Sequence, residues 1–126
     1  MRTINITLIA VVLVALPAVV AARVLEPLDR GWEQHFTVTW DTTQHHGRTV
    51  VEGYVNNVSP YSVASVRVLV DSLDAAGHVV SQRVAWVPGD LNGGGRLFFS
   101  VPVVAAASYR VRVFSYDRVE SAGILG

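Results

Sequence analysis

The chain has 126 residues, ten basic residues that are all Arg, ten Asp or Glu, and a formal net charge of zero. That balance excludes the polycationic surface of a nucleic-acid binder and leaves no long charge block. It contains no Cys, which excludes disulfide stapling, thiol chemistry and Cys-based zinc sites, so the fold must rest on core packing and strand pairing.

Residues 1–22 read as a secretory signal peptide. Met1 and Arg2 supply a positive start, Leu8 to Leu16 is an unbroken apolar run, Pro17 breaks it, and Val20-Ala21-Ala22 offers the small residues of a cleavage site. The rival reading is a retained anchor. The apolar stretch 8–22 has 15 residues, short of the roughly 20 that a spanning helix needs. No Cys follows it, so the chain is not a lipoprotein acylated on Cys. Removing 22 from 126 leaves 104 residues, enough for one domain.

After an irregular lead-in (23–33) punctuated by Pro27 and Gly31, period-two patterning takes over. Residues 34–40 form a predicted strand with Phe36, Val38 and Trp40 inward, followed by a polar turn over 41–47. The stretch 49–56 puts Val51, Gly53 and Val55 on one face, and 57–61 (NVSPY) is a turn. The strongest strand is 63–73, with Val66, Val68 and Val70 on one face and Arg67, Leu69 and Asp71 on the other. Asp74 to Gly77 is a tight connection into a paired strand, 78–87. Residues 88–95 (PGDLNGGG) form a mobile loop. Residues 96–103 are a strand with Leu97, Phe99 and Val101 inward and Pro102 at its end. Residues 108–119 close the series with Tyr109, Val111 and Val113 inward, and 120–126 is a frayed tail. Six strands result, or seven if the lead-in pairs. Short strands between turn signals predict an all-β, antiparallel immunoglobulin-like β-sandwich over 34–119.

The stretch from Val51 to Tyr116 resembles the bacterial FxLYD-type domains and related immunoglobulin-like sandwiches of exported proteins. The resemblance is carried by Val51-Glu52-Gly53-Tyr54-Val55-Asn56-Asn57, Val66-Arg67-Val68-Leu69-Val70 and Leu73-Asp74-Ala75-Ala76-Gly77-His78-Val79-Val80. Gly93-Gly94-Gly95-Arg96-Leu97-Phe98-Phe99 and Tyr109-Arg110-Val111-Arg112-Val113 also fit. The naming motif Phe-x-Leu-Tyr-Asp falls on Val70, Asp71, Ser72, Leu73 and Asp74, of which Asp74 matches, and Ser72 marks a bulge or the sheet's end. The resemblance implies a structural or interaction module and brings no catalytic residues with it.

The residues carry no catalytic signature. There is no Gly-x-Ser-x-Gly elbow, Gly93-Gly94-Gly95 lacks the Lys-Ser/Thr sequel of a phosphate loop, and Asp71 and Asp74 read as turn-capping residues. Asn57-Val58-Ser59 matches a glycosylation acceptor by pattern but reads as an ordinary turn. No cofactor is expected. The metal candidates are His35, Asp41, His45 and His46, a weak set because adjacent strand residues point to opposite faces.

The sharper candidate is a partner-binding patch. If the strands 63–73 and 108–119 are neighbours, their outer faces join Leu69, Leu73, Phe114 and Tyr116 with a rim of Arg67, Arg110 and Arg112, the composition of a protein interface. The alternative is that the lead-in folds over this face with Trp32 filling it, in which case deleting the lead-in destabilises the domain. A second route to a partner is strand addition at an open edge, with 79–83 the candidate edge. The expectation is an exported, periplasmic or secreted, non-enzymatic module for protein–protein interaction or a structural role in the bacterial cell envelope. The partner is a protein, with self-association open, no nucleic acid, and a membrane link only through an uncleaved first segment. The runner-up is a periplasmic small-ligand or metal-binding module using the His35/Asp41/His45/His46 region.

Overall fold

The computed structural model describes residues 23–119. The signal-peptide reading of 1–22 and the tail 120–126 lie outside the described residues. Six antiparallel strands follow a single 3-10 turn at Trp32–Gln34: β1 (Phe36–His45), β2 (Arg48–Asn57), β3 (Val63–Leu73), β4 (Val79–Trp86), β5 (Arg96–Pro102) and β6 (Ser108–Arg118). They form two three-stranded sheets, β1-β2-β5 and β4-β3-β6. The interior cluster draws Phe36, Val51, Val55 and Phe99 from the first sheet and Val66, Val68, Val70 and Val113 from the second, so the sheets face each other across one apolar core. β2 and β3 are the central strands, as their density of buried β-branched residues requires, and 79–83 does lie on an edge strand. The lead-in adds no seventh strand. Among the described residues no helix is long and apolar enough to cross a membrane.

The polar stretch 41–47 is not a turn. β1 continues through it, and the ladder with β2 runs unbroken to His45↔Arg48. Thr42 and Thr43 are good strand formers, and the reversal needs only His46 and Gly47, both at positive φ (52° and 77°), as a two-residue hairpin turn matched to strand twist demands. Trp40 also departs from expectation: the interior cluster takes Phe36 and part of Val38 from β1 and stops short of Trp40, which is 38% exposed.

Gly53 is required by the packing of β1 on β2. A Cβ at this position would sit 1.9 Å from the Thr39 carbonyl oxygen and 2.6 Å from Trp40 Cα, and neither backbone atom can move without breaking the ladder. Gly53→Ala should therefore lower stability by about 2–3 kcal/mol, from the strain of displacing an edge strand, read as a reduced denaturant midpoint at unchanged slope.

The β3–β4 hairpin forms as its sequence predicts. Gly77 takes φ 85°, and the Asp74 carboxylate accepts from the Ala76 and His78 amides at 3.0 and 2.8 Å. Those bonds, His78 first, hold the Asp74 carboxyl below its ordinary range. The ladder shifts register between Ser72 and Leu73, where either a bulge or the sheet's end was expected. The glycine loop is anchored rather than mobile. Leu91 is buried and exchanges both main-chain bonds with Val63, Gly94 N donates to Asn57 O, and Asn57 N donates to Gly95 O. Asn57 itself is buried: Nδ2 donates to Tyr61 O and Leu91 O, and Oδ1 accepts from Ser59. This turn residue thus ties three chain segments together.

Two irregularities in the β3–β6 ladder decide which side chains face out. Ala64 pairs Asp117 and Arg67 pairs Ser115, so β3 carries one extra residue around Ser65, which adopts φ 53°. Arg67 then pairs Ser115 while Val68 pairs Val113, so β6 carries one extra residue at Phe114. Each insertion inverts the in–out alternation locally.

Candidate functional site

The outer face of β4-β3-β6 was expected to present Arg67, Leu69, Leu73, Arg110, Arg112, Phe114 and Tyr116 to a partner. The structure covers most of it with the lead-in. Residues 23–29 cross the sheet as a strap from β4 to β6. At one end the Gln82 amide exchanges two hydrogen bonds with the Leu25 main chain, at 2.8 and 3.0 Å. At the other end Leu28 N donates to Phe114 O at 2.9 Å. Between them Arg112 Nη1 reaches Glu26 Oε2 at 2.5 Å. Leu69 and Phe114 are consequently buried. Trp32 packs against the interior cluster and also lines a hollow with Glu26, Pro27 and Arg112 at the edge of this face.

Tyr116 is not part of the outer face at all. The extra residue at Phe114 leaves both Phe114 and Ser115 on Arg67's side: Arg67 Nε donates to Ser115 Oγ at 2.7 Å, and its guanidinium lies 5.1 Å from the Phe114 ring. Tyr116 is thereby turned toward the interior, edge-on to Phe36 at 4.8 Å. Its hydroxyl donates to the Asp29 carboxylate, which also accepts from Gly31 N. The bond to Tyr116, then that to Gly31, lowers the Asp29 pKa, while burial and then the Asp29 bond push Tyr116 up to about 12. The stability gained through Asp29 is present above the ordinary carboxylate range and lost as pH falls through its lowered pKa. That gained through Tyr116 is present below its ordinary value of 10.0 and lost as pH rises toward about 12. Tyr116→Phe should cost about 1 kcal/mol at neutral pH, the worth of one hydrogen bond. It should also flatten both limbs of the stability–pH curve measured by denaturant unfolding.

Beneath the strap lies a buried ion cluster that the sequence reading missed. Asp71, read as a turn cap, is fully buried in mid-ladder. Its Oδ2 accepts from Arg110 Nε at 2.8 Å, Arg110 Nη2 at 2.7 Å and Arg112 Nη2 at 2.7 Å, and its Oδ1 accepts from Gln82 Nε2 at 2.8 Å. Asp71 pairs with Arg110 in one ladder and with Gln82 in the other. Cross-strand neighbours on one face meet in this way, and strand order is what makes them neighbours. The arrangement is a structural clamp between sheet and strap, with every carboxylate acceptor engaged.

The metal candidates are dispersed. His35 precedes the ten residues of β1, while His45 is the last of them and His46 follows it. The Asp41 carboxylate accepts from the Thr42 amide. His45 Nε2 instead lies 3.4 Å from Glu52 Oε2 on the adjoining strand. Among the described residues no group of three or more His, Cys, Asp or Glu is placed to hold a metal.

Among the described residues the opposite outer face, on β1-β2-β5, has no such cover. Thr39, Tyr54 and Phe98 are direct cross-strand partners. Tyr54 and Phe98 meet edge-to-face with centroids 5.6 Å apart, and the Arg96 guanidinium stacks 4.3 Å over the Tyr54 ring. Phe98 is about half exposed. Sequence alternation already places Tyr54 and Phe98 on outer faces, but their contact depends on β2 and β5 being neighbours. No protein-family model, curated protein or solved structure matches the chain.

Proposed function

We propose that this protein is an exported, non-catalytic β-sandwich module, immunoglobulin-like in its design, that serves protein–protein interaction in the bacterial cell envelope through the uncovered face of β1-β2-β5. The observation that carries the reading is the Tyr54–Phe98 pair with Arg96 stacked on it, partly buried at Tyr54 and about half exposed at Phe98, on a broad sheet face that the described residues leave uncovered. Aromatic side chains backed by Arg are the residue types that dominate interface energetics, and a rigid sheet holds them without an ordering cost. Export rests on the charged start, apolar run and small-residue exit of residues 1–22.

The test compares the wild-type chain with Tyr54→Ser/Phe98→Ser, two outer-face positions outside the interior cluster. Affinity capture from native envelope extract, with sedimentation across a concentration series for self-association, should show a partner held by the wild type and lost by the double variant. Equal recovery by both would remove this face from consideration.

A further inference from the structure

The strap is bonded to its sheet through main-chain groups and polar side chains, and its apolar side chains stay well exposed. Leu28 is 68% exposed, and Val24 and Leu25 are nearly half exposed, although the main chains of Leu25 and Leu28 are bonded to the sheet. Trp86, 65% exposed, stands on the same side. It and Leu28 line one open groove of about 490 Å³ whose lining includes Arg67 and Ser115. The Arg67 guanidinium is held between the Trp86 and Phe114 rings, at 5.0 and 5.1 Å. Its terminal nitrogens have no carboxylate partner among the described residues, whereas Glu26, Asp29 and Asp71 on this side are each already engaged. Asp117 also borders the groove.

Single exposed apolar residues need no explanation, but three on one short strap, with Leu28 sharing a groove with an exposed Trp, do. The course of the chain says what covers them. The most apolar stretch of the protein, 8–22, ends at Ala22, and the strap begins at Arg23. Only two residues separate that stretch from Leu25, which is pinned to the sheet. In the form that keeps residues 1–22, a chain that meets a bilayer at residue 22 brings this face, and not the Tyr54–Phe98 face, against the lipid. An indole at the rim of an apolar ridge suits the headgroup level, and a rigidly held guanidinium suits a phosphodiester.

We infer that the strap side of β4-β3-β6 is a membrane-contact face. Val24, Leu25, Leu28 and Trp86 enter the boundary between headgroups and acyl chains, and Arg67 engages lipid phosphate. The opposite aromatic face then points away from the bilayer, available to a partner.

The absence of Cys gives a direct test. Leu28→Cys, Trp86→Cys and Phe98→Cys, each at an exposed position, are made in the full chain, labelled with bimane, checked for an unchanged melting curve, and combined with vesicles of phosphatidylethanolamine and phosphatidylglycerol. The labels at positions 28 and 86 should become severalfold less accessible to aqueous iodide and be quenched by nitroxide-bearing lipid, while the label at 98 is unchanged. Equal iodide access at all three positions, or shielding at 98 in place of 28 and 86, would overturn the inference.

Discussion

Leu69→Asp is expected to unfold the domain rather than to disarm an interaction surface. Leu69 is fully buried, on the outer side of β3 between Arg67 and Asp71, where the strap crosses. A carboxylate there would sit two residues from Asp71 and compete with it for Arg112, the cross-strand neighbour of position 69, while Arg110 and Gln82 stay committed to Asp71. Loss of the leucine's buried area and burial of a second carboxylate beside Asp71 act together. The expected loss of about 4–5 kcal/mol lies at the extreme of single substitutions and takes most of a small domain's stability. Thermal unfolding by circular dichroism should show little or no native transition. A variant lacking residues 23–29 should also be destabilised, since it uncovers Leu69 and Phe114. A Leu69→Asp chain that melts like the wild type would show that the strap does not cover this face in solution.

Asp71→Ala should cost about 3–5 kcal/mol, the usual penalty for removing one partner of a buried ion pair. Arg110, whose side chain is 45% exposed, can turn to water; Arg112, at 13%, cannot do so easily. Arg112 would keep only its contact to Glu26, and its Nε already lacks a partner among the described residues. The loss therefore comes mainly from a stranded guanidinium and not from the attraction forgone. That distinction is measurable. Asp71→Leu combined with Arg112→Leu removes both charges and should recover much of the stability, because well-packed apolar replacements of buried pairs are often neutral or better. Denaturant unfolding of the two single variants and the double variant gives the coupling directly. Purely additive losses would mean that the two side chains do not act as a pair.

The same two positions show how far a linear reading reaches. Alternation along 63–73 places Leu69 and Asp71 on the face opposite Val66, Val68 and Val70, and the structure agrees. Whether that face meets solvent is a different matter, because it depends on a strap about forty residues earlier in the chain. Glu26, Asp29 and the Leu25 main chain find their partners at Arg112, Tyr116 and Gln82, and no local pattern announces such pairings. Asp71 likewise looks like a turn residue from its neighbours Ser72 and Asp74, and becomes a buried clamp only because Arg110 and Gln82 flank it in two ladders.

Strand existence, strand faces and the hairpin at Asp74–Gly77 were determined by the sequence itself, since period-two burial and the φ > 0 demand at Gly77 are local properties of the chain. The His46–Gly47 turn, the anchoring of the glycine loop and the inward turn of Tyr116 were decided by tertiary structure. Each depends on register, and one extra residue in a ladder, at Phe114, moves every following side chain to the other face. The candidate surfaces follow the same division. That Tyr54, Phe98 and Trp86 point outward is written in alternation. Which of the two faces the chain covers with its own lead-in, and which it leaves open, was settled only by long-range hydrogen bonds between segments distant in sequence.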